Sequence, residues 1–195
     1  DVTPPSIPVM SWLSVDTATN QTIVDWAASP EGDTDGYILV LITSGGNIVI
    51  DTIFGQNNTQ YVWPGSTAGA GVESYTIAAF DTCLTGTPPS PNTSAAPVPS
   101  HSTMFASVAY DKCGGEITVN WTPYVGFPVQ AYQVYAQFNE GAVYLLGTFP
   151  SSAVSAPHPN VQPFYEYCYV VKALEAGGTR TSLSNKICRT TDYPP

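Results

Sequence analysis

The sequence predicts an all-β protein built as two tandem antiparallel β-sandwiches of about seven strands each. Three observations carry that expectation. The first is an internal repeat. QTIVDW ends at Trp26 and is followed eleven residues later by Tyr37, which opens YILV; EITVNW ends at Trp121 and is followed eleven residues later by Tyr132, which opens YQVY. The series Tyr75, Ile77, Ala79, Asp81 likewise matches Tyr169, Val171, Ala173, Glu175, so the landmarks recur at offsets of 95, 95 and 94 residues. Self-similarity at a fixed period marks two copies of one module. The second is an apolar period of two within each copy, which places alternate side chains on one face of a strand. The third is punctuation by Gly, Pro and Asn, with no convincing amphipathic helix between the turns.

Taken in order, Ile23 and Asp25 alternate against Val24 and Trp26 in the second strand. SGGN (Ser44 to Asn47) joins two strands with residues that tolerate positive φ, and NEG (Asn139 to Gly141) does the same in the second copy. PFYEYCYVVKALEA has a helical alternative, but its aromatic and β-branched content reads as a strand with Tyr167, Tyr169, Val171 and Ala173 on one face. LTGTPPSPNTSAAPVPSHS (Leu84 to Ser102) carries five prolines and so cannot be a central strand. It is expected to hold an exposed loop, an edge strand and the linker. The cut is placed near Pro97 to Pro99, giving modules 1–98 and 99–195.

Composition excludes several functions. Among 195 residues there are five Lys and Arg against fifteen Asp and Glu, for a net charge of −10. Five bases cannot neutralise a run of phosphates, so nucleic acid is not an expected partner. The longest apolar run, Tyr37 to Ile42, has six residues, where a spanning helix needs about 20, so membrane insertion is not expected. A 43% hydrophobic content supplies a packed core and excludes global disorder. All five bases (Lys112, Lys172, Lys186, Arg180, Arg189) fall in the second module with six carboxylates, whereas the first has nine carboxylates and no base. The chain opens at Asp1 without a charged-then-apolar leader and is read as a processed product. Four cysteines without C-x-x-C spacing favour disulfides, an oxidising compartment and an extracellular or cell-surface location.

A Trp closing the second strand, a Tyr opening the third eleven residues later, and a Tyr-x-Tyr/Val-x-Val-x-Ala strand together resemble fibronectin type III modules. The resemblance implies that Trp26 and Trp121 are buried core tryptophans and that Tyr167 is the tyrosine-corner residue. The first module departs from the pattern: Glu73 stands at the position matching Tyr167, so its corner must be held differently. FDTC, the HSTM segment, DKC and NWTPYVGFPVQAYQVY resemble modules of large surface proteins of Bacteroidota, many associated with gliding motility and C-terminal sorting domains. That narrower resemblance implies export to the cell surface. It also marks Thr17 and Thr52, in Asp16-Thr17-Ala18 and Asp51-Thr52-Ile53, as O-glycosylation candidates.

Cys168 alternates out of phase with Tyr167 and Tyr169 and so lies on the outer face of the sixth strand. Cys188 lies on the seventh, symmetric with it about Gly178, and a cross-strand disulfide is expected there. Module 1 contains a single cysteine, Cys83, so full oxidation within one chain requires a Cys83–Cys113 bond between modules. The two lie at distal poles in a straight tandem, some ~27 Å of strand apart at 3.3 Å per residue. Either the modules fold back side by side, which is the favoured reading, or these two thiols are free or bonded to other chains.

Glu31, Asp33 and Asp35 in SPEGDTDGY resemble part of a calcium loop but lack its terminal bidentate Glu. A solvated turn is the blander reading, and no cofactor is expected. Trp12, Trp63, Tyr61, Tyr124 and Phe127 are candidates for a sugar-stacking platform, against the commoner use of such rings in packing. Four Asn-x-Ser/Thr sites occur, at Asn20, Asn57, Asn92 and Asn120. His101 and His158 lie outside any catalytic motif, and no enzyme is expected. The leading expectation is a non-catalytic surface module pair acting as a spacer, adhesive or assembly segment. Surface glycans, other surface-protein subunits or further copies are its candidate partners. The alternative is a carbohydrate-binding accessory domain of a secreted polysaccharide-degrading enzyme.

Overall fold

A computed structural model describes residues 3–95 and 100–192. Module 1 comprises β1 (Met10–Val15), β2 (Thr22–Trp26), β3 (Thr34–Thr43), β4 (Gly46–Phe54), β5 (Gln60–Trp63), β6 (Ser74–Thr85), β7 (Ser90–Thr93) and β8 (His101–Ser102). Module 2 comprises β9 (Ala106–Asp111), β10 (Glu116–Trp121), β11 (Val129–Phe138), β12 (Val143–Pro150), β13 (Ser155–His158), β14 (Glu166–Glu175), β15 (Thr181–Leu183) and β16 (Ile187–Thr190). Each module packs a three-stranded sheet on a larger one. In module 1 the sheets are β1-β2-β5 and β4-β3-β6-β7, with β8 also on β6. In module 2 they are β13-β10-β9 and β12-β11-β14-β15, with β16 also on β14. The fold is therefore all-β, two antiparallel sandwiches. No helix among the described residues is long and apolar enough to cross a membrane.

Period-two patterning accounts for the core. Thr22, Val24 and Trp26 point inward from β2, and Ile117, Val119 and Trp121 from β10. Trp26 is 2% exposed and Trp121 4%. Each indole packs against the tyrosine that opens the next strand, Tyr37 at 5.3 Å and Tyr132 at 5.5 Å between ring centroids. The larger sheets repeat one irregularity. The β3/β4 register slips between Leu39 and Val40, and the β11/β12 register between Val134 and Tyr135. The extra residues, Ile50 and Leu146, pack against the core, so each bulge adds an apolar contact at a sheet edge. At Asn139 and Glu140 two consecutive positive φ values, 46° and 59°, form the tight turn that the right-handed strand twist favours.

The seventh strand is broken in two in both modules, which the strand count expected from sequence did not anticipate. At each break a serine replaces ladder bonds. Ser94 Oγ accepts the Ala79 N–H while its own N–H bonds the Ala79 carbonyl, and Ser184 does the same with Val171. Each strand ends in a threonine clasp. Thr103 Oγ1 accepts the Glu73 N–H, and Thr191 Oγ1 accepts the Tyr165 N–H. The expected boundary at 98/99 falls outside the described residues. Hydrogen bonding of module 1 continues past it, through β8 to Thr103, whose N–H bonds the Glu73 carbonyl at 2.9 Å.

Cys168 and Cys188 stand opposite each other on β14 and β16 and are bonded. The intermodule disulfide is a correction: Cys83 and Cys113 are free thiols. The modules do meet laterally, but along β1 and β15, neither of which carries a cysteine. Cys83 sits half-buried on β6, and Cys113 is exposed in the turn between β9 and β10.

Replacing Cys168 and Cys188 by alanine opens a cross-link spanning 20 residues. Loop-closure entropy predicts a loss of about 3 kcal/mol from module 2. Urea unfolding followed by amide exchange should show the loss there and leave module 1 within error of the parent.

Candidate functional site

β1 and β15 are sheet edges, and an uncovered edge presents bare backbone donors and acceptors. Here each covers the other. Ser14 Oγ accepts the Leu183 N–H at 3.0 Å, and Tyr124 Oη accepts the Leu13 N–H at 3.0 Å. Arg180 Nη1 donates to the Ser11 carbonyl at 2.8 Å, and Asn20 Oδ1 accepts the Lys186 N–H at 3.2 Å. The Ser102 N–H bonds the Val125 carbonyl at 2.8 Å. Asn20 reaches this position with φ of 56°, a conformation asparagine tolerates better than most residues. Apolar burial is continuous across the seam, with Met104, Tyr124 and Phe127 at the junction.

Arg180 organises the seam. Its guanidinium is paired with the Glu175 carboxylate and lies 5.8 Å from the centroid of Phe127. The hydrogen bonds from Arg180 hold the Glu175 carboxyl below the usual range. His101, on β8, is half-buried at the same junction with Nδ1 buried and without a partner. Burial lowers its pKa, and the nearby Arg180 charge adds to that.

The corner of each sandwich is held by different chemistry. In module 2, Tyr167 Oη accepts the Gln162 N–H at 2.9 Å, the role implied for that residue by the sequence resemblance. In module 1, Glu73 is 5% exposed and its carboxylate accepts five hydrogen bonds. They come from Thr67 N (2.6 Å), Thr67 Oγ1 (2.9 Å), Ser66 Oγ (2.7 Å), Thr22 Oγ1 (2.8 Å) and Tyr75 Oη (2.5 Å). Burial alone raises the Glu73 pKa, but these donors outweigh it and the net shift is downward. The Tyr75 hydroxyl is pushed well above its usual value by burial and by this bond.

A groove of about 470 Å³ lies on the outer face of the larger sheet of module 1. Phe54, 64% exposed, stands edge-on to Phe80 at 5.6 Å, with Ile38 beside them and Thr52, Thr93 and Asp35 at the rim. Gly36 lets the Phe80 ring lie this close, since a Cβ there would clash with the ring at 2.9 Å and with the Ile53 carbonyl oxygen. A groove of about 320 Å³ on the corresponding sheet of module 2 is walled by Thr17 from module 1 and lined by Tyr135, Lys172 and Lys186.

The residues singled out from sequence are dispersed. Tyr124 and Phe127 are 6% and 5% exposed and packed against each other at a tilt with ring centroids 4.4 Å apart, so neither offers a face to a sugar. Trp12, Tyr61 and Trp63 are half-buried against the core, Trp63 edge-on to Tyr75. These five aromatics form no exposed platform: Tyr61 and Trp63 stand opposite core-facing Val24 and Thr22, Trp12 packs partly against the core, and Tyr124 and Phe127 are buried in the loop between β10 and β11. Glu31 is committed to Ser29 and Ser6, whose hydrogen bonds bring its pKa down to about 2. Asp33 is exposed and Asp35 lines the module 1 groove. The three do not gather around a common point: among the described residues the one cluster with metal-ligand geometry is Glu166 with Cys168 and Cys188, whose sulfurs are bonded to each other. Thr52 is exposed on β4 and Thr17 half-buried at the seam. Of the Asn-x-Ser/Thr sites, Asn92 is buried against Asp81 and Thr85, Asn20 is committed to Lys186, Asn120 is half-buried, and Asn57 is exposed. His158 bonds the Tyr169 hydroxyl through Nδ1 at 2.8 Å.

The sequence matches no protein-family model and no curated protein. Solved structures to which the chain is similar include the fn3 domain of the human collagen alpha-1(XX) chain, at 22% identity over 46% of this chain and 83% of that one, with a TM-score of 0.39. They also include the FN1–FN3 domains of chicken CNTN1, at 18% identity over 97% and 68%, TM-score 0.39. A segment of two fibronectin type III domains from chicken tenascin matches at 18% identity over 96% and 98%, TM-score 0.34.

Substituting Glu73 by Gln removes the anion that five donors converge on and should destabilise module 1 by about 2 kcal/mol. The depressed pKa also sets a pH dependence. The carboxylate contributes its stability above the unfolded-state value near 4.5 and loses it as pH falls through the lower folded value. Acid titration of the parent should unfold module 1 with a proton uptake that Glu73→Gln lacks.

Proposed function

We propose that this chain is a non-catalytic, fibronectin type III-like module pair of an extracellular or cell-surface protein, serving as a spacer, adhesion or assembly segment. The observation that carries the reading is the seam. Two modules whose edge strands satisfy each other's backbone, with an arginine bonded to a carbonyl of its neighbour, behave as one stiff unit rather than as beads on a linker. Stiffness of that kind is what a spacer contributes. The cross-strand disulfide of β14 and β16 supports an oxidising location, and few bases leave few sites for trypsin-like proteases. The resemblance of FDTC, DKC and NWTPYVGFPVQAYQVY to Bacteroidota surface modules supports a place in such a protein, including those associated with gliding.

The module 1 groove favours a second reading, carbohydrate binding. Phe54 exposes a ring face, and Thr52, Thr93 and Asp35 supply hydroxyl and carboxylate groups around it. An apolar plate with a polar rim is the complement of a sugar ring, which has C–H faces and hydroxyl edges.

Arg180→Ala removes the clamp, its contact with the Phe127 ring included, and leaves the Trp26 and Trp121 packing of each module in place. Small-angle scattering and ¹⁵N relaxation should show the parent tumbling as one body and the variant gaining independent module motion; independent tumbling of the parent would refute the stiff-unit reading. For the second reading, a polysaccharide panel should reveal binding that Phe54→Ala reduces at least tenfold. Equal binding by parent and variant would remove the groove from consideration.

A further inference from the structure

Among the described residues β12 is hydrogen-bonded to β11 on one side only and forms the outer edge of the larger sheet of module 2. Its open side displays unpaired backbone groups, and natural proteins usually blunt such an edge with charge, proline or a covering segment. This edge carries little of that protection. Val143, Tyr144 and Leu145 are 62%, 40% and 47% exposed, and no charged residue occurs from Val143 to Pro150. The proline comes at the last position, and the bulge at Leu146 is the remaining device. β4 of module 1 occupies the equivalent edge and exposes Ile48, Val49 and Phe54. By contrast, β1 and β15 are covered by each other. The chain therefore closes one pair of edges internally and leaves the same edge open in both repeats.

Charge decides which open edge can meet a copy of itself. Module 1 holds nine carboxylates and no base, for −9; module 2 holds six carboxylates and five bases, for −1. Two copies approaching through module 1 would bring strongly like-charged bodies together, and β4 adds Asp51 on the strand itself. Approach through module 2 brings nearly neutral bodies together along an uncharged strand. We propose that β12 is a self-association edge, at which two copies of the chain pair β12 with β12, antiparallel, across a two-fold axis. A strand meeting its own copy across such an axis is antiparallel by symmetry, and the pairing joins two four-strand paths into one continuous sheet. Val143 and Leu145 would pack against their counterparts beside the shared ladder. A single short strand per partner, interrupted by a bulge, places the contact at the small end of interfaces, below about 1,200 Å², and makes the dimer weak and reversible. This goes beyond the spacer reading, which stands or falls separately on the stiffness of the seam.

The test is sedimentation equilibrium of the full chain from about 10 μM to 1 mM, with Cys83 and Cys113 alkylated so that no covalent dimer forms. The expected result is a monomer–dimer equilibrium that tightens as salt is raised, because screening weakens repulsion between two chains of net charge −10. Leu145→Lys, at an exposed site, should weaken association at least tenfold, while Val49→Lys on β4 leaves it unchanged. Circular dichroism and thermal melting of both variants establish that each is folded. A monomer at every concentration and salt, an association that Leu145→Lys leaves intact, or one that Val49→Lys abolishes would overturn the proposal.

Discussion

In each module a tyrosine hydroxyl accepts the backbone N–H three residues past the core tryptophan: Tyr37 from Ser29 at 2.8 Å, Tyr132 from Tyr124 at 3.0 Å. Each of these tyrosine rings packs against the tryptophan of its own module. The backbone N–H of the tryptophan in turn bonds the carbonyl of Thr59 or Val154, just before the next strand of its sheet. One indole and one phenol thus tie together strands from both layers of the sandwich, and the other core residues fill in around them. The arrangement has a cost, since neither indole Nε1 has a partner. Leaving a buried donor unpaired costs about 1–3 kcal/mol. Burying an indole of some 200 Å² or more at ~25 cal/mol/Å² contributes roughly 5 kcal/mol. Packing wins, twice, in the same way.

Scarcity of positive charge shapes everything else. A buried carboxylate needs donors, and module 1 has no base to provide them. Hydroxyl and amide groups do so instead. Glu73 draws on Ser, Thr and Tyr; Asp81, fully buried, accepts the Cys83 N–H and bonds the Asn92 side chain; Glu31 takes Ser6 and Ser29. The high Ser and Thr content is thus structural solvation for anions. In module 2 the lone arginine at the seam is the exception, and it is placed where two modules and a carboxylate converge.

The fold was legible because its determinants are large and periodic. Trp26, Trp121 and their tyrosines sit at fixed spacing, and alternation survives substitution. Cys168 and Cys188 were legible for the same reason, since a hairpin fixes which residues face each other. What escaped was carried by small polar side chains. The Ser94/Thr103 and Ser184/Thr191 clasps are separated by nine and seven residues, so the repeat does not align them, and serine and threonine are common in this chain. The Glu73 corner was visible as a departure from Tyr167, but its partners come from two separate segments. Pairing Cys83 with Cys113 by elimination assumed full oxidation, whereas the docking of β1 on β15 puts each thiol elsewhere. The aromatic candidates failed because identity alone tells neither which face of a strand a ring occupies nor that the loop carrying Tyr124 and Phe127 packs into the seam. Phe54, the exposed ring of the module 1 groove, had no distinguishing signal in the sequence.

The bridge between β14 and β16 has a mechanical corollary. Tension entering from the carboxyl-terminal side reaches Cys188 and passes directly across the sulfurs to Cys168. The intervening residues, including the Glu175–Arg180 pair and β15, which docks on β1, lie outside the load path. The equivalent strand of module 1 is secured by hydrogen bonds alone, so stretching the chain would extend that half before the bypassed loop felt any force.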